Sequence, residues 1–366
     1  MNRSVSTSAH TESLVSFDNL VDDYISRENR EIIETIFYGG LTTLLCLIGI
    51  PANLLNILVF WHQGLRDRMN VCLFSLSCVD CCYLLCAFAI FSVPTFTRLY
   101  DQTKGDEIYI KVFTVLGWAL YGSLNLSGCL GVVIALDRCA CVVFPLHAAT
   151  LMTSRTMCLI IFTCFLLIQG SHLLYLFSYE AGSVTIGESV RWVFVNTEFY
   201  RSNEEIINSF FFTFLGTALP VTMFISVSVA TGVTVIKLKA AIAWREKSSS
   251  VPTDSSNNNQ QMALTSMLII VSCVYVITCA PFVMRQLSIL FLSDCYGPRH
   301  CIELFSALTA VVYGILPINS AIYFFIYYRR STRFRQVLCK LIDRNGQQQN
   351  TNINNSCSET KVYSQI

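Results

Sequence analysis

Residues 110–146 read IKVFTVLGWALYGSLNLSGCLGVVIALDRCACVVFPL, with no charge between Lys111 and Asp137. A helix needs about 20 apolar residues to cross the hydrocarbon core of a bilayer. This stretch is long enough, and its charges sit at the ends, so it predicts a membrane-spanning helix over Ile110–Val143. Six more runs have the same character: Ile36–Trp61, Met69–Phe96, Arg155–Phe177, Ile206–Ile236, Met262–Leu292 and Ile302–Tyr328. They are continuous, whereas barrel strands would be short and alternating. The expected fold class is all-α: a seven-transmembrane helix bundle. The amphipathic stretch Arg330–Leu341 predicts a short eighth helix. On this reading residues 1–35 are an extracellular tail, 36–328 the membrane domain, and 329–366 the amphipathic helix and cytoplasmic tail.

Composition points the same way. Of 366 residues, 53% are hydrophobic and 13% charged, and the formal net charge is +1. The charged share is about half that of a soluble domain. A chain this apolar could not cover its surface in water, and it is too apolar for wholesale disorder. Nucleic acid is excluded as a partner, because phosphate binding needs a basic excess. The partner implied is the lipid bilayer. The polar first 30 residues hold no apolar core of a signal peptide. No inverted repeat of the transporter kind is visible. SSSVPTDSSNNNQQ (248–261) is low-complexity and reads as a flexible loop.

Basic residues orient the bundle. With the N-terminus outside, 15 of the 25 Lys and Arg fall on the cytoplasmic side, among them Arg329, Arg330, Arg333 and Arg335. Acids divide the other way: 17 outside, 6 inside, and Asp80 within the second run. The near-neutral total is therefore a sum of −7 outside, −1 at Asp80 and +9 inside. Asn2-Arg3-Ser4 is a glycosylation sequon and fits the same orientation.

Seventeen Cys suggest a disulfide framework, but 13 lie within the runs, where a thiol packs as a small apolar side chain. Cys81-Cys82 has no second pair at zinc-site spacing. Outside lie only Cys295 and Cys301, in Asp-Cys-Tyr-Gly-Pro-Arg-His-Cys, a spacing that fits a local disulfide bracing the turn between runs six and seven. The alternative is two free thiols.

Ionisable residues inside membrane helices are functional candidates. Asp80 could be reached by Asn53, Ser127, Asn319 and Ser320 on other runs. A carboxylate among neutral oxygens can hold a monovalent cation such as sodium. It can equally be a protonated acid in a hydrogen-bond network, since burial favours the neutral form. Both readings stay open. Asp137-Arg138 closes the third run, where opposite charges can pair or the Arg can snorkel to headgroups. Pro51, Pro94, Pro220, Pro281 and Pro317 each remove a backbone hydrogen bond and permit a kink.

Across residues 36–341 the chain resembles rhodopsin-like (class A) G-protein-coupled receptors. The resemblance rests on Asn53, on Asp80 in Leu-Ser-x-x-Asp, and on Ser127. The most specific string is Asp137-Arg138 followed by Val142, Pro145 and Leu146. Pro220 and Pro281-Phe282 also match. It implies an extracellular ligand, a heterotrimeric G-protein partner, an allosteric sodium ion at Asp80 as the one candidate cofactor, and no enzymatic activity. Helix six would swing about Pro281, with Pro220 as a second hinge. Arg138 would leave Asp137 to meet the G-protein, and Leu146 would pack on it. Cys339, five residues after Phe334, is a palmitoylation candidate, with an unmodified apolar contact as the alternative.

The family ends helix seven with Asn-Pro-x-x-Tyr and places a Phe seven residues on. Setting Tyr327 as that Tyr puts Phe334 at the right distance and leaves Asn319 and Ser320 for the sodium pocket. The Asn-Pro is then replaced by Tyr323-Phe324. Other departures are Cys139 after Asp-Arg, Cys279 for the helix-six Trp, Ser228 for a helix-five Tyr, and no Trp in run four. The family's disulfide between helix three and the second outer loop is missing at both partners. The usual acid at the inner end of helix six is replaced by Asn259-Gln260-Gln261, which implies raised basal activity.

Leu120 stands where amine receptors carry an Asp, and run seven has no Lys for retinal, so both ligand classes are excluded. The acidic outer side would draw a cationic ligand, such as a basic peptide, with Asp22, Asp23, Glu28, Glu31 and Glu34 foremost. The alternative is that these acids only keep the loops soluble. In texture the chain resembles invertebrate, molluscan-type peptide or chemosensory-like receptors, through Gly64–Asn70 and Asn319–Tyr328. The rival class is a channel or transporter using Asp80 as an ion site.

Overall fold

A computed structural model describes residues 25–144, 152–187, 189–248, 255–291 and 302–343. Seven of its helices are long and apolar enough to cross a membrane. They are α1 (Arg27–Gln63), α2 (Arg68–Arg98), α3 (Gln102–Val143), α4 (Ser154–Ser178), α5 (Glu204 to Ser248), α6 (Ser255–Phe291) and α7 (Ile302 to Arg330). A short helix over 332–343 follows as α8. The bundle thus has the expected fold class, with one addition. The segment between α4 and α5 forms an antiparallel hairpin, β1 (Tyr179–Ile186) with β2 (Ser189–Asn196). The two ends of the bundle are called here the hairpin end and the α8 end.

Side-chain caps start most of these helices. Ser26, Asp67, Asp101 and Thr153 each accept a hydrogen bond from a backbone N–H of the first turn of α1 to α4, satisfying donors the helix leaves open. Gly64 ends α1 at φ 91°, a left-handed conformation that favours glycine. Gly187 turns the hairpin at φ 63°, again in the left-handed region.

α1 begins at Arg27, well before its apolar run. Its first turns are held by ion pairs: Arg27 to Glu31 at 3.0 Å and Arg30 to Glu34 at 2.8 Å. α7 is broken once, at Leu316, where Pro317 starts a new segment. Proline lacks the N–H that would continue the first segment. Near-π geometry covers Thr35–Thr42, Phe88–Ser92 and Ser209–Ala218, all toward the hairpin end of α1, α2 and α5.

Large apolar side chains cover the outside of the bundle. On α4, Leu159, Phe162, Leu166 and Leu167 are exposed, as are Leu44, Leu47, Leu54 and Leu58 on α1. Lipid would solvate these surfaces. Inside are two apolar clusters. One, toward the hairpin end, gathers Tyr83, Ile90, Phe91, Phe113, Phe282 and Tyr313. The other, toward the α8 end, gathers Val59, Leu73, Leu76, Leu130, Tyr327 and Phe334. The functional candidates lie between these clusters and at the bundle's two ends.

The hairpin lies along α3 without a covalent tie. Phe194 stands edge-on to Phe113 at 5.4 Å between ring centroids, and Tyr109 lies 6.2 Å away. Lys111 sits over the Trp192 ring at 4.4 Å. Edge-to-face ring pairs and cation–π contacts contribute about 0.5–1.5 kcal/mol each. Every described cysteine is unbridged. Cys295 and Cys301 lie outside the described residues, as do Asn2, Pro145 and Leu146.

Candidate functional site

A polar layer separates the two clusters. Asp80 of α2 is fully buried. Ser127 of α3 and Ser320 of α7 donate to its Oδ1 at 2.7 and 2.9 Å. Asn53 of α1 donates to the carbonyls of Gly49 and Ser320, at 3.0 and 2.8 Å. It therefore meets Asp80 only through the backbone of Ser320. Asn319 is turned aside, its Oδ1 accepting from Tyr323 at 2.6 Å.

The donor set fits a small cation. Asp80 Oδ2 and Asn53 Oδ1 are buried with no hydrogen-bond partner among the described residues. Next to them Ser127, Asn319 and Ser320, though not Asp80 or Asn53 themselves, line a cavity of ≈ 20 Å³, enough for one water or one bare ion. A sodium ion there would supply the counter-charge that a buried carboxylate otherwise lacks. Tyr83, also on the cavity wall, and Asn56 were not anticipated from sequence. Their polar atoms are likewise buried in this layer without partners among the described residues.

Below this layer Tyr327 meets its neighbours through rings. It lies 5.3 Å from Phe60 and 5.9 Å from Phe334. Phe334 belongs to α8 and is 1% exposed. α8 is thus pinned under α1 and α7 by its one deep aromatic, while the Cys339 thiol faces outward.

At the α8 end, Asp137 is held by two arginines. Arg138 donates through Nε at 3.0 Å and through Nη2 to the same carboxylate oxygen. Arg68, at the start of α2, approaches the other oxygen at 3.4 Å. Arg68 also donates to the Met152 carbonyl at 2.8 Å and to Cys141 Sγ. The sequence reading paired Asp137 with Arg138 alone. Arg68 lies 69 positions away in the chain, and only the packing of α2 on α3 brings it in. Val142 is half-buried near the end of α3.

The prolines act through freed carbonyls. Pro220 has no N–H to offer Gly216, four residues earlier. Gly216 O accepts from Gln286 Nε2 of α6 instead. One residue back, Leu215 O accepts from Asn125 Nδ2 of α3 at 3.2 Å. Asn125 also meets His172 Nε2 of α4 at 3.1 Å, while His172 Nδ1 lies 2.8 Å from Ile168 O. A carbonyl can only accept, so Nδ1 donates and Nε2 accepts, which fixes a neutral imidazole. Four helices are thereby joined around the backbone that Pro220 opens. Pro281 lies inside α6, one turn before Arg285.

The expected acidic attractor is mostly internally compensated. Glu34 pairs with Arg30 and Arg98, and Glu31 with Arg27. Arg30 also bonds Glu303 of α7. Asp22 and Asp23 lie outside the described residues. Only Glu28 of the described three has no ion pair. Counting charges gave the sign of this end but not which charges are already spent on each other.

A seven-helix bundle with a buried acid at its middle and an Asp-Arg pair at one end has the layout of a receptor of the G-protein-coupled type. A family model described as serpentine type 7TM GPCR chemoreceptor Srw matches residues 41–345. The chain belongs to that family, and it is a multi-pass membrane protein. No curated protein matches it.

Proposed function

We propose that the chain is a plasma-membrane receptor of the rhodopsin-like class that turns binding of an extracellular chemical into G-protein activation. The N-terminus and hairpin end face outside. Residues 36–328 carry the signal, and the α8 end meets the G-protein. The observation that carries this reading is the Asp137-Arg138 pair, closed at one end of a bundle whose family is chemoreceptive. Ligand would enter between α3, α5, α6 and α7 and favour one packing over another by differential contact. Arg138 would then leave Asp137 as α6 moves about Pro281. The charge excess at the α8 end suits anionic lipid and partner surfaces.

Nucleotide exchange on a panel of G-proteins, with ion flux measured in the same cells, tests the proposal. Exchange above mock cells at verified surface expression is the expected result. Flux without exchange would move Asp80 to a channel or transporter role.

Arg68 bears on how easily this receptor activates. Breaking a buried pair is costly chiefly because it leaves one charge unpaired. Here Asp137 keeps Arg68 when Arg138 leaves, so the release costs less. Arg68→Gln removes that second partner, and Asp137 is then bound to Arg138 alone. Basal exchange is expected to fall about 5- to 10-fold, at the low end of typical coupling energies. Unchanged or raised basal exchange at equal surface level would show that Arg68 is only a helix anchor.

A further inference from the structure

We infer that Arg285 is the anchor for a ligand carboxylate, and that this receptor responds to organic anions with an apolar body. The inference rests on the receptor reading and names the ligand chemistry for the same entry between α3, α5, α6 and α7. Arg285 is half-buried on α6, one turn beyond Pro281. Among the described residues the other cations in the bundle wall at this end are matched: Arg30 with Glu34 and Glu303, Arg98 with Glu34 and Asp106, Lys111 with Glu107. Arg285 has no carboxylate within reach among the described residues. Its Nε and Nη2 donate to Thr309 Oγ1 of α7, at 3.1 and 2.9 Å, and its Nη1 to Gln286 Oε1 at 2.7 Å.

Neutral oxygens satisfy the donors but not the charge. A guanidinium is a planar fork suited to two parallel bonds with one carboxylate. A charge held inside a membrane helix without a counter-charge marks a ligand or ion path.

The walls describe the rest of the ligand. The guanidinium lies over Phe305 at 4.4 Å and 5.8 Å from the Tyr313 centroid. Tyr313 in turn touches Phe91, Tyr121 and Phe282 within 6.2 Å. Tyr313, Phe91 and Phe282 are themselves buried, so an apolar or aromatic body would pack against the part-exposed Phe305 and Tyr121 in front of them, with its carboxylate on the fork. Such a carboxylate would replace Gln286 Oε1 at Arg285. Gln286 is the residue that bonds the carbonyl freed by Pro220, so the exchange would be felt between α5 and α6. The chemistry has two sources, a small carboxylic acid or the free C-terminus of a short peptide.

Matched probes decide between them. The full-length purified receptor is heated with octanoate and 3-phenylpropionate, each beside its methyl ester, and with apolar tetrapeptides, each beside its C-terminal amide. Melting temperature and nucleotide exchange are both read. Expected is a carboxylate that shifts melting at concentrations about tenfold or more below its neutral twin. That preference is lost in Arg285→Gln and weakened in Arg285→Lys, which keeps the charge but not the fork. Acids acting alone indicate the small-molecule source, free peptides alone the peptide source. If no carboxylate outperforms its ester or amide, the inference fails. It also fails if Arg285→Lys, the variant to read should Arg285→Gln not reach the membrane, responds as wild type does. Exchange that depends on Arg138, with melting indifferent to every carboxylate, sinks the anion site alone. A carboxylate shift with no exchange on any G-protein sinks the receptor reading and leaves the anion site standing.

Discussion

Arg138→Ala is expected to bring nucleotide exchange down to the level of mock membranes while the protein still reaches the cell surface. Both halves follow from the double clamp on Asp137. Arg138 contributes the group that a G-protein would meet, and coupling of this kind is commonly worth about 5- to 150-fold. Truncating one member of a buried charge pair usually destabilises a fold as well, because the remaining charge is stranded. Asp137 is not stranded here, since Arg68 stays at 3.4 Å on its second oxygen. Surface staining and exchange measured on the same cells check the prediction. Retained exchange would remove Arg138 from the coupling role. Loss of surface protein would show that Arg68 cannot hold Asp137 alone, and Asp137→Asn added to Arg138→Ala would then restore expression.

The second large effect is expected at Asp80. In the wild type, replacing sodium at about 150 mM by N-methylglucamine should lower the melting temperature by about 2–4 °C. That corresponds to an ion present at roughly tenfold its dissociation constant. Asp80→Asn keeps the size and the bonds from Ser127 and Ser320 but removes the charge, and should abolish the difference. Asp80→Asn should also be at least as stable as the sodium-free wild type, because a buried charge without a counter-ion is costly. Equal melting of the wild type in the two salts would favour the protonated reading of Asp80 instead.

Most of the bundle was legible because lipid imposes a simple rule: continuous apolar runs become helices. All seven follow from that rule, while the short α8 was legible from its amphipathic pattern instead. The hairpin between α4 and α5 did not, although its signal is present. Val-Thr-Ile before Gly187 and Val-Arg-Trp-Val-Phe-Val from Val190 are β-branched or aromatic at all but Arg191, and the short Gly-Glu-Ser stretch between them is a hairpin-turn signal. An all-helical reading had no reason to look there. The polar layer was partly legible. Asp80, Ser127 and Ser320 do meet, since each occupies a helical face that the spacing identifies. Asn319 shares the level but gives its oxygen to Tyr323, a rotamer choice that spacing does not carry. Arg68, Gln286 and Arg285 were missed because their meaning is relational. Arg68 matters through α3, Gln286 through a carbonyl freed by a proline on α5, and Arg285 through the carboxylates it lacks.

The hairpin has one more consequence. What keeps it against α3 is carbon rings and one ammonium, not sulfur: residues 179–196 contain no cysteine. A hairpin fastened through a disulfide is released where thiols are abundant. This one is indifferent to redox poise. Its weak point is temperature and detergent, which loosen ring contacts. The hairpin's hold on α3 is thus set by ring packing and one charge, and not by the redox state around it.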